Sequence, residues 1–93
     1  MDNSTPSNTK RVINVQAEEF GDLQHLIDIA YADKKIVKRL DLIVLAEARD
    51  IHEDLIEIIS LLPPGSYSRQ RMCDQLNSAL AAHGWGRVYG TVE

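Results

Sequence analysis

Cysteine and long apolar runs are scarce in this 93-residue sequence, and each shortage excludes a class of protein. Cys73 is the only cysteine, so an internal disulfide and a disulfide-stapled fold are excluded. The most apolar window, residues 42–46, is bounded by Asp41 and Glu47, whereas a membrane helix needs about 20 apolar residues. Because the start carries no charged and apolar leader, we expect a cytoplasmic protein that does not enter a membrane.

Positive charge is also in short supply. Ten Lys and Arg residues stand against 14 Asp and Glu residues, which leaves a formal net charge of −4 at pH 7. Non-specific binding along nucleic acid depends on many phosphate contacts from Lys and Arg, so this balance argues against it and leaves only a local basic patch. No stretch matches a cofactor-binding or catalytic motif, and no internal repeat is apparent, so we expect no cofactor and no enzyme.

The sequence does contain one long apolar segment without glycine or proline, residues 36–62. Its apolar residues recur at three- and four-residue steps, which is the period of one helix face. We predict a single central helix over residues 34–62, with Asp33 as its N-cap; the alternative is a later start at Leu42 with Asp41 as the cap. Such a helix would be about 40 Å long, so its wide apolar face predicts burial against a second copy of the chain.

The remaining elements follow from local composition. The polar residues at 1–10 predict a flexible tail. The β-branched residues at 11–15 and the alternating residues at 87–92 predict strands. Pro63-Pro64-Gly65 ends the central helix. Ser68 is placed to cap a third helix, and a left-handed Gly84 would bring Trp85 back toward its end. The prediction is a mostly α, α+β domain at residues 11–93 after a tail at 1–10, with helices at about 17–32, 34–62 and 68–83 and strands at about 11–15 and 87–92.

The last third of the chain gathers the arginine and aromatic residues that carry interface energy. Arg69 and Arg71 stand at a helix start, against the helix dipole, so they need negative partners. A bound anion would serve, and so would the acids that end the central helix. We predict a partner-binding surface made of Tyr67, Arg69, Arg71, Trp85, Arg87 and Tyr89.

The composition and these residues favour a small regulatory protein that binds another macromolecule as a homodimer. The first alternative is a DNA-binding regulator, in which the third helix and a β-wing at residues 87–92 contact the duplex. The second is a helical enzyme in which carboxylates at three- and four-residue spacing hold a divalent cation. The acids concerned are Glu19 and Asp22 on the first helix and Asp50, Glu53, Asp54 and Glu57 on the central one.

Overall fold

A computed structural model describes residues 18–93. The predicted tail at residues 1–10 and the predicted strand at 11–15 lie outside that range. Within it, five helices and one two-stranded antiparallel sheet confirm the mostly α, α+β class, although three helices were predicted. The elements are α1 (Asp22–Ala30), β1 (Ile36–Lys38), α2 (Arg39–Ala48), α3 (Glu53–Ser60), β2 (Ser66–Ser68), α4 (Arg69–Ala82) and α5 (Gly86–Tyr89).

The predicted central helix at 34–62 is wrong, because the segment divides into β1, α2 and α3. Neither predicted start is used: α2 begins at Arg39 after Lys38, which makes no side-chain cap. The second break is a left-handed residue, Asp50, at φ 60°. There the N–H of Ile51 donates to the carbonyl of Ala46 at 3.0 Å, closing the helix as a Schellman motif.

The two strands found in residues 18–93 come from the middle of that range. β1 pairs with β2 so that Val37 lies opposite Tyr67, and both side chains are buried while their neighbours on each strand are exposed. An antiparallel pair centred on one residue couple is locally two-fold symmetric. Each strand is preceded and followed by a helix, so the chain forms two helix–strand–helix units, α1–β1–α2 and α3–β2–α4.

The same spacing of buried residues appears in both units, so the chain does contain an internal repeat. The first helix of each unit, α1 or α3, buries one apolar residue and then the residues three and four positions after it. The second helix of each unit, α2 or α4, buries the residues three and seven positions after its first residue. The corresponding sets are Leu23, Leu26, Ile27, Leu42 and Ala46 in the first unit and Leu55, Ile58, Ile59, Met72 and Leu76 in the second. Equivalent positions of the two units carry side chains as different as Ala46 and Leu76, so the repeat is not apparent from the sequence.

An arginine opens the second helix of each unit and reaches the first helix of the other. Arg39 Nη1 donates to the carbonyls of Ser60 at 3.1 Å and Leu62 at 3.0 Å, so it caps the end of α3. Arg69 Nη2 donates to the carboxylate of Asp28 on α1. Asp28 and Ser60 occupy equivalent positions in the repeat, so the two arginines connect the units at corresponding places, Arg39 through backbone carbonyls and Arg69 through a carboxylate.

The predicted end of the third helix is confirmed. Ser68 Oγ accepts the N–H of Arg71 at 3.2 Å and begins α4, and Gly84 adopts φ 70° after it. The N–H of Trp85 then donates to the carbonyl of Leu80 at 2.9 Å, as a Schellman ending requires.

The predicted strand at 87–92 is wrong. Residues 86–89 form the short helix α5, because the carbonyl of Trp85 accepts the N–H groups of both Val88 and Tyr89. The backbone of Val92 then pairs with the side chain of Asn77 on α4 instead of with a strand. No helix in residues 18–93 is both long enough and apolar enough to cross a membrane.

A substitution of Arg39 tests whether its hydrogen bonds to the end of α3 stabilise the fold. Arg39→Ala should lower the free energy of unfolding by about 1–3 kcal/mol, because two carbonyls at the end of α3 lose a charged donor. Urea unfolding followed by circular dichroism measures this change. Arg71→Ala, at an exposed first-turn position of α4, is the matched control and should shift it by at most about 0.5 kcal/mol. Equal effects of the two variants would contradict the capping role of Arg39.

Candidate functional site

Two of the six predicted contact residues lie in the core. Tyr67 is 4% exposed, and its hydroxyl donates to the carbonyl of Pro63. Tyr89 is 7% exposed, and its hydroxyl donates to the carboxylate of Asp54 at 2.7 Å. Both rings are therefore used inside the fold, and neither offers a face to a partner in this conformation.

Arg69 has a negative partner, but not the predicted one. Its guanidinium contacts Asp28 on α1 and the backbone oxygen of Glu93, rather than the acids before and within α3. The hydrogen bond from Arg69, followed by one from Gln24, holds the pKa of the Asp28 carboxyl below its ordinary value. The contact of Arg69 with Asp28 supports the structural interpretation of the arginine over an anion site.

The other three predicted residues are not brought together with Arg69. Arg71 is exposed in the first turn of α4, and Trp85 lies beyond the last turn of that helix. A separation of 14 positions along a helix corresponds to about 20 Å. Trp85 packs edge-on against Tyr89 with ring centroids 5.7 Å apart, and Arg87 is exposed on α5. The six residues do not form one surface, and the β-wing of the DNA-binding alternative is not formed.

The side chains required by the enzyme alternative are also apart. Within residues 18–93, no three His, Cys, Asp or Glu side chains lie close enough together to hold a metal ion. The carboxylate of Asp54 accepts a hydrogen bond from the Tyr89 hydroxyl. The backbone of Asp50 forms the left-handed turn that ends α2. Cys73 is buried, and burial raises the pKa of its thiol, which opposes formation of the reactive thiolate.

An apolar surface lies on the outside of α2. Leu40 is 63% exposed and Val44 is 54% exposed. These two residues and the exposed Ala48 recur every fourth residue, so they lie along one face of the helix. We call Leu40, Val44 and Ala48 the α2 stripe. The opposite side of the helix is buried through Leu42 and Ala46.

The α2 stripe borders a concave space on each side. Val44 and Ala48 line a cavity of about 410 Å³ between α1 and α2, together with Ile29, Ala30 and Leu45. At the other end, Leu40 lines a second groove with Pro64 and Gly65 from the turn before β2. The apolar surface is therefore continuous along α2 and reaches into both neighbouring grooves.

Charges of both signs stand at the rim of the larger cavity. Asp33 and Lys34 approach it from the loop after α1, and Asp41 approaches it from the first turn of α2. All three residues are exposed. A surface with an apolar centre and a mixed polar rim is typical of protein interfaces.

Comparison of this chain with protein-family models, with curated proteins and with solved structures finds no match.

The hydrogen bond between Tyr89 and Asp54 predicts a pH-dependent stability. The acceptor carboxylate raises the pKa of Tyr89 to about 12 from 10.0, so the folded state favours the protonated phenol. The stabilisation is complete below pH 10 and is lost as the pH rises toward 12. Tyr89→Phe should therefore cost about 1–2 kcal/mol at pH 8 and progressively less above pH 10.

Urea titrations of both proteins at a series of pH values measure this difference. Tyr31→Phe is a positive reference: the Tyr31 hydroxyl donates to the backbone carbonyl of Tyr67 at 2.8 Å, and burial raises its pKa to about 12 as well, so the cost of this variant should also fall above pH 10. A difference between wild type and Tyr89→Phe that stays constant from pH 8 to pH 12 would contradict the assignment.

Proposed function

We propose that this chain is a non-enzymatic interaction module that pairs with a second copy of itself through the α2 stripe. The observation that carries the proposal is the exposure of Leu40 and Val44, one turn apart on a helix whose other face is in the core. Single exposed apolar residues are normal in soluble proteins, whereas a stripe that continues into apolar grooves indicates a binding surface. The earlier basis for a dimer, one continuous central helix, no longer applies, so the proposal rests on this stripe.

The size of the stripe sets the expected affinity. Complete burial of one Leu or Val side chain contributes about 1.5–3 kcal/mol, so Leu40 and Val44 from two copies, already partly buried, contribute roughly 4–7 kcal/mol. The lining of the groove, Ile29 and Leu45, adds to this. Association costs at least about 4 kcal/mol. The surplus is a few kcal/mol, so we propose a weak, reversible dimer with a dissociation constant of roughly hundreds of micromolar rather than an obligate one.

The mixed charge of the rim supports a second copy as the occupant. In a two-fold interface each surface patch meets its own copy, so a rim of one sign would repel itself. The groove carries Lys34 beside Asp33 and Asp41, which allows the lysine of one protomer to face an acid of the other. Complementary pairs of this kind fix the register of an interface more than they add affinity.

Light scattering after size exclusion, over about 5 to 500 μM protein, tests the proposal. The mean mass should rise from that of the monomer toward that of the dimer across this range, because a dissociation constant of roughly hundreds of micromolar gives a substantial dimer fraction near its upper end. Leu40→Glu combined with Val44→Glu should remain monomeric throughout while retaining the wild-type melting temperature, because both side chains are exposed.

Phe20→Glu provides the control. Phe20 is 45% exposed beside Gly90, before the first residue of α1 and away from the stripe, so the same change of charge there should leave dimer formation intact. A wild-type chain that stays monomeric at 500 μM would contradict the proposal. So would a Leu40→Glu, Val44→Glu variant that still forms dimers.

A further inference from the structure

The last residues of the chain are bound by side chains that pair with their backbone. The side-chain amide of Asn77 on α4 makes two hydrogen bonds to the backbone of Val92. Its Oδ1 accepts the N–H of Val92 at 2.8 Å, and its Nδ2 donates to the carbonyl of Val92 at 2.8 Å. A strand neighbour would make the same two bonds. The Val92 side chain is buried at 5% exposure, so this residue is held through its backbone and one small apolar side chain.

The next residue is held in the same way from the other helix. Gln24 on α1 accepts the N–H of Glu93 at 2.9 Å and donates to its backbone oxygen at 3.0 Å. Arg69 adds two further N–H groups to that oxygen, from Nε at 3.2 Å and Nη2 at 2.9 Å. Asp28 accepts hydrogen bonds from both Gln24 and Arg69 and so orients them. Three donors therefore converge on one backbone oxygen.

The trough between α1 and α4 is not filled by these residues. A space of about 460 Å³ remains beside Val92 and Glu93, lined by Arg69, Gln70, Cys73 and Asp74 along α4. The Glu93 side chain is exposed, and its carboxylate forms no hydrogen bond or ion pair within residues 18–93. A residue presents its N–H and its carbonyl to the same side only when it is extended, so the paired bonds of Asn77 select an extended backbone at Val92. The trough also accepts a small apolar side chain and has room beyond it.

We propose that this trough is a binding site for an extended peptide segment, which residues 91–93 occupy within the same chain. The ligand it fits presents a small apolar residue to the pocket of Val92 and then a backbone oxygen, either a peptide carbonyl or a terminal carboxylate, to Gln24 and Arg69. Recognition of a peptide through its main chain, with one side-chain pocket, is the mode used when a strand is added to a sheet edge. Here two amide side chains replace the sheet edge.

The bound segment follows Gly90, which adopts φ 89° and separates it from α5. Val92 is its only buried side chain, since Thr91 and Glu93 are exposed, and the hydrogen bonds of Glu93 are exposed to solvent. Segments with few buried apolar contacts and exposed hydrogen bonds open at low free-energy cost. While attached, the segment competes with any added peptide at an effective concentration in the millimolar range. The site lies between α1 and α4, so this inference does not depend on dimer formation by the α2 stripe.

Fluorescence polarisation with a labelled peptide of residues 89–93, Tyr-Gly-Thr-Val-Glu, tests the inference on the full chain. Val92→Asp should release the segment, because a carboxylate cannot enter the apolar pocket without a partner. This variant should bind the peptide saturably and at least about tenfold more tightly than the wild-type chain does, since its own segment no longer competes. Peptide acid and peptide amide are compared: tighter binding of the acid identifies a carboxylate ligand, and equal binding identifies a chain carbonyl.

Asn77 supplies the specificity control. Adding Asn77→Ala to Val92→Asp should weaken peptide binding at least about tenfold, whereas adding Ser78→Ala, at the exposed neighbouring position of α4, should leave it unchanged. A folded Val92→Asp chain without saturable binding would overturn the inference, and so would equal binding by the Asn77→Ala variant. If near-ultraviolet circular dichroism shows Val92→Asp to be unfolded, hydrogen exchange in the wild-type chain decides. Millimolar peptide should then accelerate exchange of the Val92 amide, and no acceleration would overturn the inference.

Discussion

The pairing of β1 with β2 is the constraint on which the rest of the structure depends. Two strands of three residues each are marginal in water, so the pair depends on what surrounds it. Val37 and Tyr67 at its centre enter the core together, and the Tyr31 hydroxyl on the first unit donates to the carbonyl of Tyr67 on the second. Because the pair is locally two-fold, it sets the helices of one unit against those of the other. The trough between α1 and α4 exists only because of this arrangement.

Local signals in the sequence predicted α4 better than they predicted the segment from β1 to α3. Ser68 and Gly84 begin and end α4 through a side-chain cap and a left-handed glycine, and both signals are visible in the sequence. The break after α2 uses the same left-handed geometry with Asp50, a residue that adopts it less readily than glycine. No local signal in the sequence predicts β1, because so short a strand forms only by pairing and its partner β2 lies 30 residues away. The continuous apolar period from 36 to 62 therefore suggested a helix that tertiary pairing overrides.

The candidate sites were harder to predict, because they depend on which of several apolar rows is left outside. Leu40 fits the three- and four-residue steps as well as Leu42 does, yet only Leu42 lies in the core. Residue type also misled the prediction for the C-terminal third, where Tyr67 and Tyr89 have interface chemistry but serve the fold. The peptide trough uses Gln24 and Asn77, whose roles follow only from the approach of residues 92 and 93.

Nuclear Overhauser effects across the proposed strand pair test the division into two units most directly. The account predicts contacts between the backbones of Val37 and Tyr67 and between those of Ile36 and Ser68, with slowly exchanging amides on both strands. It also predicts an interruption of helical contacts at Asp50. Unbroken helical contacts from Lys34 to Leu62, with none between β1 and β2, would contradict it.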